Sequence, residues 1–394
     1  MPIEVQGHVE SGFEGVRDAF AENFERHGDV GAAFAAYQDG KLAVDLWGGI
    51  ADQDAGRPWA EDTTVMVFST TKGATALCAN MLAERGELDV DAPVAEYWPE
   101  FAAEGKEDIP VRWLLCHKAG LPFVDRHITR DEALAWDPVV EALAEQEPAW
   151  EPGTAHGYHA VTYGWLVGEV VRRVSGRSVG RFFREEVADP LGLAFWIGLP
   201  AEHLDRVAPL IGIELPDHPH VTEILEQFLG PDTLLGKALL APSGAFMPSG
   251  ALTDVSAWNE PEVLAGEVPA ANGVCDARSL ARMYAAVIGE VDGTRLLGDD
   301  QVKAASENQT EGPDKVLFFE SKFGLGFMLS TAFTPYGGPA GFGHAGAGGS
   351  TGFADPHAGL AVGYVMNAMQ ANVVGDLRAV GPVRALYEAV GAQL

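Results

Sequence analysis

Residues 66–77 read M-V-F-S-T-T-K-G-A-T-A-L, a short apolar run, a serine three residues before a lysine, then an alanine-rich segment. On a helix, residues i and i+3 share a face, so Lys72 is expected within reach of the Ser69 hydroxyl. A serine hydroxyl is a weak nucleophile until a neighbouring base activates it. Lysine can be that base where burial lowers its pKa. At a helix start the serine backbone N–H also points outward, free to stabilise an oxyanion. The same position suits an ordinary helix cap. The motif alone does not choose between them.

The rest of the chain narrows the field. It has 394 residues, 47% of them hydrophobic and 21% charged, enough for two or three average domains or one large composite. A formal net charge of −31 repels nucleic acid and anionic lipid, so neither is an expected partner. The three cysteines (Cys78, Cys116 and Cys275) are far apart, form no metal spacing and suit a reducing compartment. The N-terminal stretch M-P-I-E-V-Q-G-H-V-E carries no signal-peptide pattern, and no run of 18 apolar residues follows. The expected location is the cytoplasm.

Upstream of the serine, residues 11–27 read as an amphipathic helix. Ser11 and Glu14 make a capping box, Phe13, Val16, Phe20 and Phe24 line one face, and Gly28 ends it. Two apolar runs then flank Asp39-Gly40, a hairpin signal. Ser69 is expected to open a helix with an apolar stripe of Ala74, Leu77, Cys78, Met81 and Leu82. Further helices are expected at 133–146, 160–175, 276–289 and 374–391, and strands at 323–329, 341–347 and 360–366. Strands at both ends with helices between them predict an α/β plus α fold. An antiparallel sheet built from both chain ends would be flanked by helices and interrupted by a large, mostly helical insertion. The expected division is residues 1–65 with 315–394, and 66–314, with a site at their interface.

A second serine competes. Gly348-Gly349-Ser350-Thr351-Gly352 matches G-x-S-x-G, which requires a strand before the serine, a helix after it, and an acid then a histidine downstream. Another strand pattern follows instead, and Asp355 and His357 are too close in sequence to serve. A chance match or hairpin turn is the better reading of Ser350.

Two further segments favour Ser69. E-P-G-T-A-H-G-Y-H-A-V-T-Y-G-W-L-V-G-E-V-V-R-R-V-S-G (151–176) resembles the second signature of the class C β-lactamase and penicillin-binding-protein superfamily, a Y-x-N triplet followed by a helix with a Y-x-L-x-G core. F-G-H-A-G-A-G-G-S-T-G-F-A-D-P (342–356) resembles the strand that carries K-T-G in those enzymes, here His344-Ala345-Gly346. V-D-L-W-G-G (44–49), D-T-T-V-M-V-F (62–68), L-L-C-H-K-A-G-L-P (114–122), N-G-V-C-D-A-R-S-L-A-R-M-Y (272–284) and Y-V-M-N-A-M (364–369) fit the same superfamily. The resemblance spans nearly the whole chain and is nearest to its esterase branch, the family VIII carboxylesterases.

That resemblance implies a β-lactamase/transpeptidase-like fold and a serine carboxylesterase acting on small or medium acyl esters, with no metal or organic cofactor. Ser69 is then the nucleophile, and Lys72 and Tyr158 share the base role. The oxyanion hole is the backbone N–H of Ser69 and of Ala347. His344, Gly346 and His159 are the expected substrate contacts. Two departures from the family pattern point toward esters. His344 replaces the K-T-G lysine that holds a β-lactam carboxylate, and Ala160 replaces the Y-x-N asparagine that contacts an amide. β-Lactam hydrolysis, D-amino-acid peptide cleavage, acyl transfer and non-catalytic binding of acyl ligands are the alternatives. His156 and His159 have a metal-like i, i+3 spacing without a third ligand, so lining a loop or pocket is their expected role. Asp217-His218-Pro219-His220 is expected to be a solvated loop, and residues 205–245 are a candidate lid or acyl-pocket wall.

Overall fold

The computed structural model describes residues 3–213, 227, 229–230, 232–247, 253–332, 334–371 and 376–394. Near the N-terminus lie strands β1 (Gln6–Val9), β2 (Gly31–Gln38), β3 (Lys41–Asp52) and β4 (Arg57–Pro58). A small three-stranded sheet follows, from β5 (Val65–Met66), β6 (Phe195–Ile197) and β7 (Gly273–Cys275). The chain then returns to the large sheet with β8 (Thr310–Pro313), β9 (Glu320–Phe323), β10 (Met328–Leu329), β11 (Phe342–Ala345), β12 (Thr351–Asp355) and β13 (Leu360–Met366). Its order is β1-β3-β2-β13-β12-β11-β10-β9-β8, with β4 on β3, and its pairs are antiparallel. The junction of the two chain ends is the β2–β13 pair, in register from Leu360↔Gln38 to Met366↔Ala32. The expected antiparallel sheet from both ends is therefore present.

The hairpin at Asp39-Gly40 takes positive φ at both residues, +47° and +76°, the pattern of a tight type I′ connection between β2 and β3. Strand β13 is buried along its whole length, because both sheet faces are covered. Gly363 lies under the helix Ala277–Ile288, where an added Cβ would fall 2.4 Å from the Ala277 carbonyl oxygen. The next residue, Tyr364, points the other way, toward the buried Arg378 at the start of the helix Leu377–Val390. That terminal helix packs against Glu14–Glu22.

Several boundaries differ from expectation. The first helix runs Glu14–Glu22 and continues as a wider turn to His27, with no side-chain cap; Glu14 accepts the Gly12 N–H, and Ser11 takes no part. Residues 133–146 split at Trp136 (φ +72°) into Arg130–Leu134 and Asp137–Glu145. The expected strand 323–329 is two strands, β9 and β10, separated by a glycine turn in which the Gly324 N–H donates to the Phe327 carbonyl. The helix Thr71–Glu84 has no one-sided stripe: Thr71 through Leu82 are all buried. Its small residues allow this, Gly73 admitting the Tyr284 hydroxyl where a Cβ would stand only 2.1 Å away. Asp217–His220 and much of the candidate lid lie outside the described residues.

Candidate active site

Ser69 sits in a 3-10 turn, Phe68–Thr70, directly ahead of the buried helix Thr71–Glu84. Phe68 holds φ at +42°, a strained value for a non-glycine residue, and its ring packs edge-on to Trp258. The Ser69 side chain caps nothing in this turn. Lys72 lies one turn on, fully buried, with Nζ 3.0 Å from Ser69 Oγ, 2.6 Å from the Ala160 carbonyl and 3.0 Å from the Ala270 carbonyl. Burial pushes its pKa well below the usual lysine range.

Tyr158 meets this pair from a separate loop. Its ring centroid is 4.8 Å from Lys72 Nζ. Burial drives its pKa far up, against the effect of the nearby Ser69 hydroxyl. Tyr158 Oη has no hydrogen-bond partner of good geometry among the described residues, which leaves it available to a reacting group. Three side chains fix the loop. Asp314 Oδ1 accepts the Tyr158 N–H at 3.0 Å, and His117 Nδ1 accepts the His159 N–H at 3.1 Å. His159 Nδ1 donates to the Gly157 carbonyl at 2.7 Å, and its Nε2 accepts the Leu121 N–H at 2.9 Å.

The expectation of His159 as a substrate contact does not fit this geometry: both ring nitrogens are engaged by backbone. Burial holds its pKa down to about 3, so it stays neutral. His156 is likewise internal, bonded to Ser321 Oγ and Thr310 Oγ1. His117 and Asp314 are the positioning residues that sequence reasoning missed. His117 stood inside a quoted family-like segment without a role, and Asp314, 156 residues from the tyrosine it holds, gave no local signal.

The third wall is the end of β11. His344 is buried, its Nδ1 donating to the Ala345 carbonyl at 2.7 Å, its Nε2 without a partner among the described residues. Burial depresses its pKa to about 3. Its ring centroid lies 6.0 Å from that of Tyr158. Gly346 is wedged against the serine segment, and an added Cβ would lie 2.2 Å from the Val67 carbonyl oxygen. Among the described residues, neither the Ser69 nor the Ala347 N–H donates to a protein acceptor. Ser350 is no nucleophile elbow, since β12 rather than a helix follows it. It is buried and bonded to the Val67 carbonyl at 2.8 Å and to Thr70 Oγ1 at 2.9 Å, tying the β11–β12 turn to the serine segment.

This arrangement has close parallels. The profile of the Beta-lactamase family matches residues 16–383. The chain belongs to that family.

Among its relatives, the Esterase/beta-lactamase LipL of Mycobacterium tuberculosis is 38% identical over 383 residues, covering 94% of this chain and 84% of LipL. The crystal structure of a family VIII carboxylesterase superposes with a TM-score of 0.86 at 39% identity, covering 98% of this chain and all of that one. EstA from Arthrobacter nitroguajacolicus Rue61a gives 0.86 at 33%, covering 98% and 99%. This member of the Beta-lactamase family is thus a hydrolase by descent, with the family's transpeptidase-like fold. Among its described residues, no helix is long and apolar enough to cross a membrane.

Proposed function

We propose that this protein is a serine carboxylesterase for small or medium acyl esters, working through a Ser69 acyl-enzyme. The observation that carries the reading is the hydrogen-bond set of Lys72. A neutral amine has two N–H donors and one lone pair. The Ala160 and Ala270 carbonyls take the two donors, and the lone pair is left facing the Ser69 hydroxyl. Burial supplies the neutral state.

In this reading Ser69 Oγ attacks the ester carbonyl as its proton passes to the Lys72–Tyr158 pair, which titrates as a unit. The N–H groups of Ser69 and Ala347 receive the developing oxyanion. The pair returns the proton to the leaving alkoxide. It then activates a water, which cleaves the acyl-enzyme and restores Ser69. The site lies between an α/β unit, residues 1–65 and 315–394, and a mostly helical unit, 66–314. A cytoplasmic location accords with three free, buried cysteines.

Esters are favoured over β-lactams because His344 is held neutral and Ala160 offers no side-chain amide. A β-lactam carboxylate would find no cation at residue 344. β-Lactam hydrolysis is the second reading, since LipL carries both activities in its name. The test is hydrolysis of 4-nitrophenyl acetate, butyrate and octanoate beside nitrocefin. Ester turnover that disappears in Ser69→Ala, with little nitrocefin cleavage, is the expected result. Dominant nitrocefin turnover would replace the first reading with the second, and ester turnover surviving in Ser69→Ala would end both.

A further inference from the structure

Behind the turn that carries Ala347 lies a buried ionic cluster built from distant parts of the chain. Arg378 is fully buried, and so are its partners Asp29 and Asp376. Its Nη1 reaches Asp29 Oδ1 at 3.0 Å and the Ala368 carbonyl at 2.8 Å; its Nε and Nη2 hold Asp376. Tyr364 Oη donates to Asp29 from the other side at 2.8 Å. The remaining Nη2 proton goes to the Gly348 carbonyl at 2.5 Å.

That last bond connects to the oxyanion donor. The Gly348 carbonyl and the Gly349 N–H belong to one planar peptide unit. The Gly349 N–H donates to the Gly346 carbonyl at 3.2 Å. The Gly346 carbonyl and the Ala347 N–H belong to another such unit, two peptide bonds back along the chain, and a trans peptide points these two groups in opposite directions. Fixing the carbonyl therefore aims the N–H. Gly349, at φ +135°, is needed for the approach, since an added Cβ would lie 2.3 Å from Arg378 Nη2 and 2.2 Å from Asp376 Oδ2.

We propose that Arg378 is a positioning residue for catalysis, setting the direction of the Ala347 N–H through the peptide units of Gly348–Gly349 and Gly346–Ala347. The inference rests on the reading of Ala347 as an oxyanion donor. Two carboxylates lean on the guanidinium and offset its charge, so it contributes orientation more than field. The role differs from packing alone: guanidinium supplies a planar fork whose donors reach Asp29, Ala368, Asp376 and Gly348 together, whereas an ammonium has three donors around one point.

The test compares wild type with Arg378→Lys and Arg378→Gln on 4-nitrophenyl butyrate and its thiono analogue, in which sulfur replaces the carbonyl oxygen. Rates are taken per active site titrated by the acylation burst, so a partly folded preparation does not mimic the effect. An oxyanion hole favours the oxygen ester, and removing one donor typically costs about 10²–10³ in rate. A misaimed donor is expected to lower kcat for the oxygen ester by about 10- to 100-fold, leave KM within about 3-fold, and lower thionoester turnover by less than about 3-fold. Equal losses on both substrates, or an unchanged oxygen-to-sulfur ratio in active variants, would overturn the proposal. If neither Arg378 variant folds, Asp376→Asn decides, with a smaller loss of the same ratio expected and an unchanged ratio overturning it. A wild type that does not discriminate between the two esters would remove the underlying oxyanion reading, and the proposal with it.

Discussion

Lys72 Nζ and Ser69 Oγ stand 3.0 Å apart inside the protein, and burial alone depresses the lysine pKa. Among the described residues Lys72 forms no ion pair; its other partners are the carbonyls of Ala160 and Ala270. The low pKa of Lys72 is thus set by desolvation rather than by a neighbouring positive charge.

The rate should follow that base. In the proposed mechanism the reactive form is the neutral amine, so kcat/KM should fall as pH drops through the depressed folded-state pKa of the Lys72–Tyr158 pair. Burial keeps Tyr158 protonated in the same range. Lys72→Arg, which cannot deprotonate, should lose activity by at least about 10³-fold across the whole profile. A retained acid limb in that variant would assign the limb elsewhere.

Stability should carry the same signature. Below the ordinary lysine pKa of about 10.4 the unfolded side chain holds a proton that the buried one has shed, down to the folded-state pKa. The unfolded state then binds more protons, so stability rises with pH in that window, by about 1.4 kcal/mol per unit from this group. Urea melts at pH 7 and 9 should show that rise in wild type and lose it in Lys72→Met. Equal slopes in the two proteins would mean that Lys72 remains charged in the fold.

The two serines should separate cleanly. Ser69→Ala is expected to abolish ester turnover. Ser350→Ala should keep the chemistry but leave the buried Val67 carbonyl and Thr70 hydroxyl short of a partner, at a cost of about 1–3 kcal/mol in stability. Equilibrium denaturation alongside butyrate-ester kinetics reads both effects. Loss of all turnover in a folded Ser350→Ala would restore that serine to the chemistry.

Gly346→Ala places a methyl 2.2 Å from the Val67 carbonyl oxygen and 2.3 Å from Ser350 Oγ. The end of β11 must then move off the serine segment. A loss of about 10-fold or more in kcat together with a lowered Tm is expected, from burst kinetics and thermal melts. An unperturbed kcat would show that the contact does not set the site.

His159→Ala should behave as a structural lesion. It orphans the Leu121 N–H and the Gly157 carbonyl, each worth about 1–3 kcal/mol when buried without a partner. Chemical denaturation should record that loss, while KM for acetate and octanoate esters shifts in parallel. A selective rise in KM for one acyl length would return His159 to the substrate pocket.

The sequence alone determined a good deal here. The S-x-x-K spacing brings Ser69 to Lys72 through one turn of local geometry, and positive φ at Asp39-Gly40 fixes the hairpin within two residues. The apolar run 360–366 sets β13, because local pattern and final burial agree there. Only tertiary structure decided the rest. Ser350 and Ser69 look alike on paper, and they separate when strand β12 follows one of them and a buried helix the other. His159 and His344 are both histidines near a motif, yet backbone bonds use both nitrogens of the first and leave Nε2 of the second unpartnered. Asp314, Arg378 and Asp29 act on residues 30 to 349 positions away. No sequence window holds such contacts: they arise where the two chain ends close one sheet, and burying charge there is tolerable only because each ionic group meets its partner.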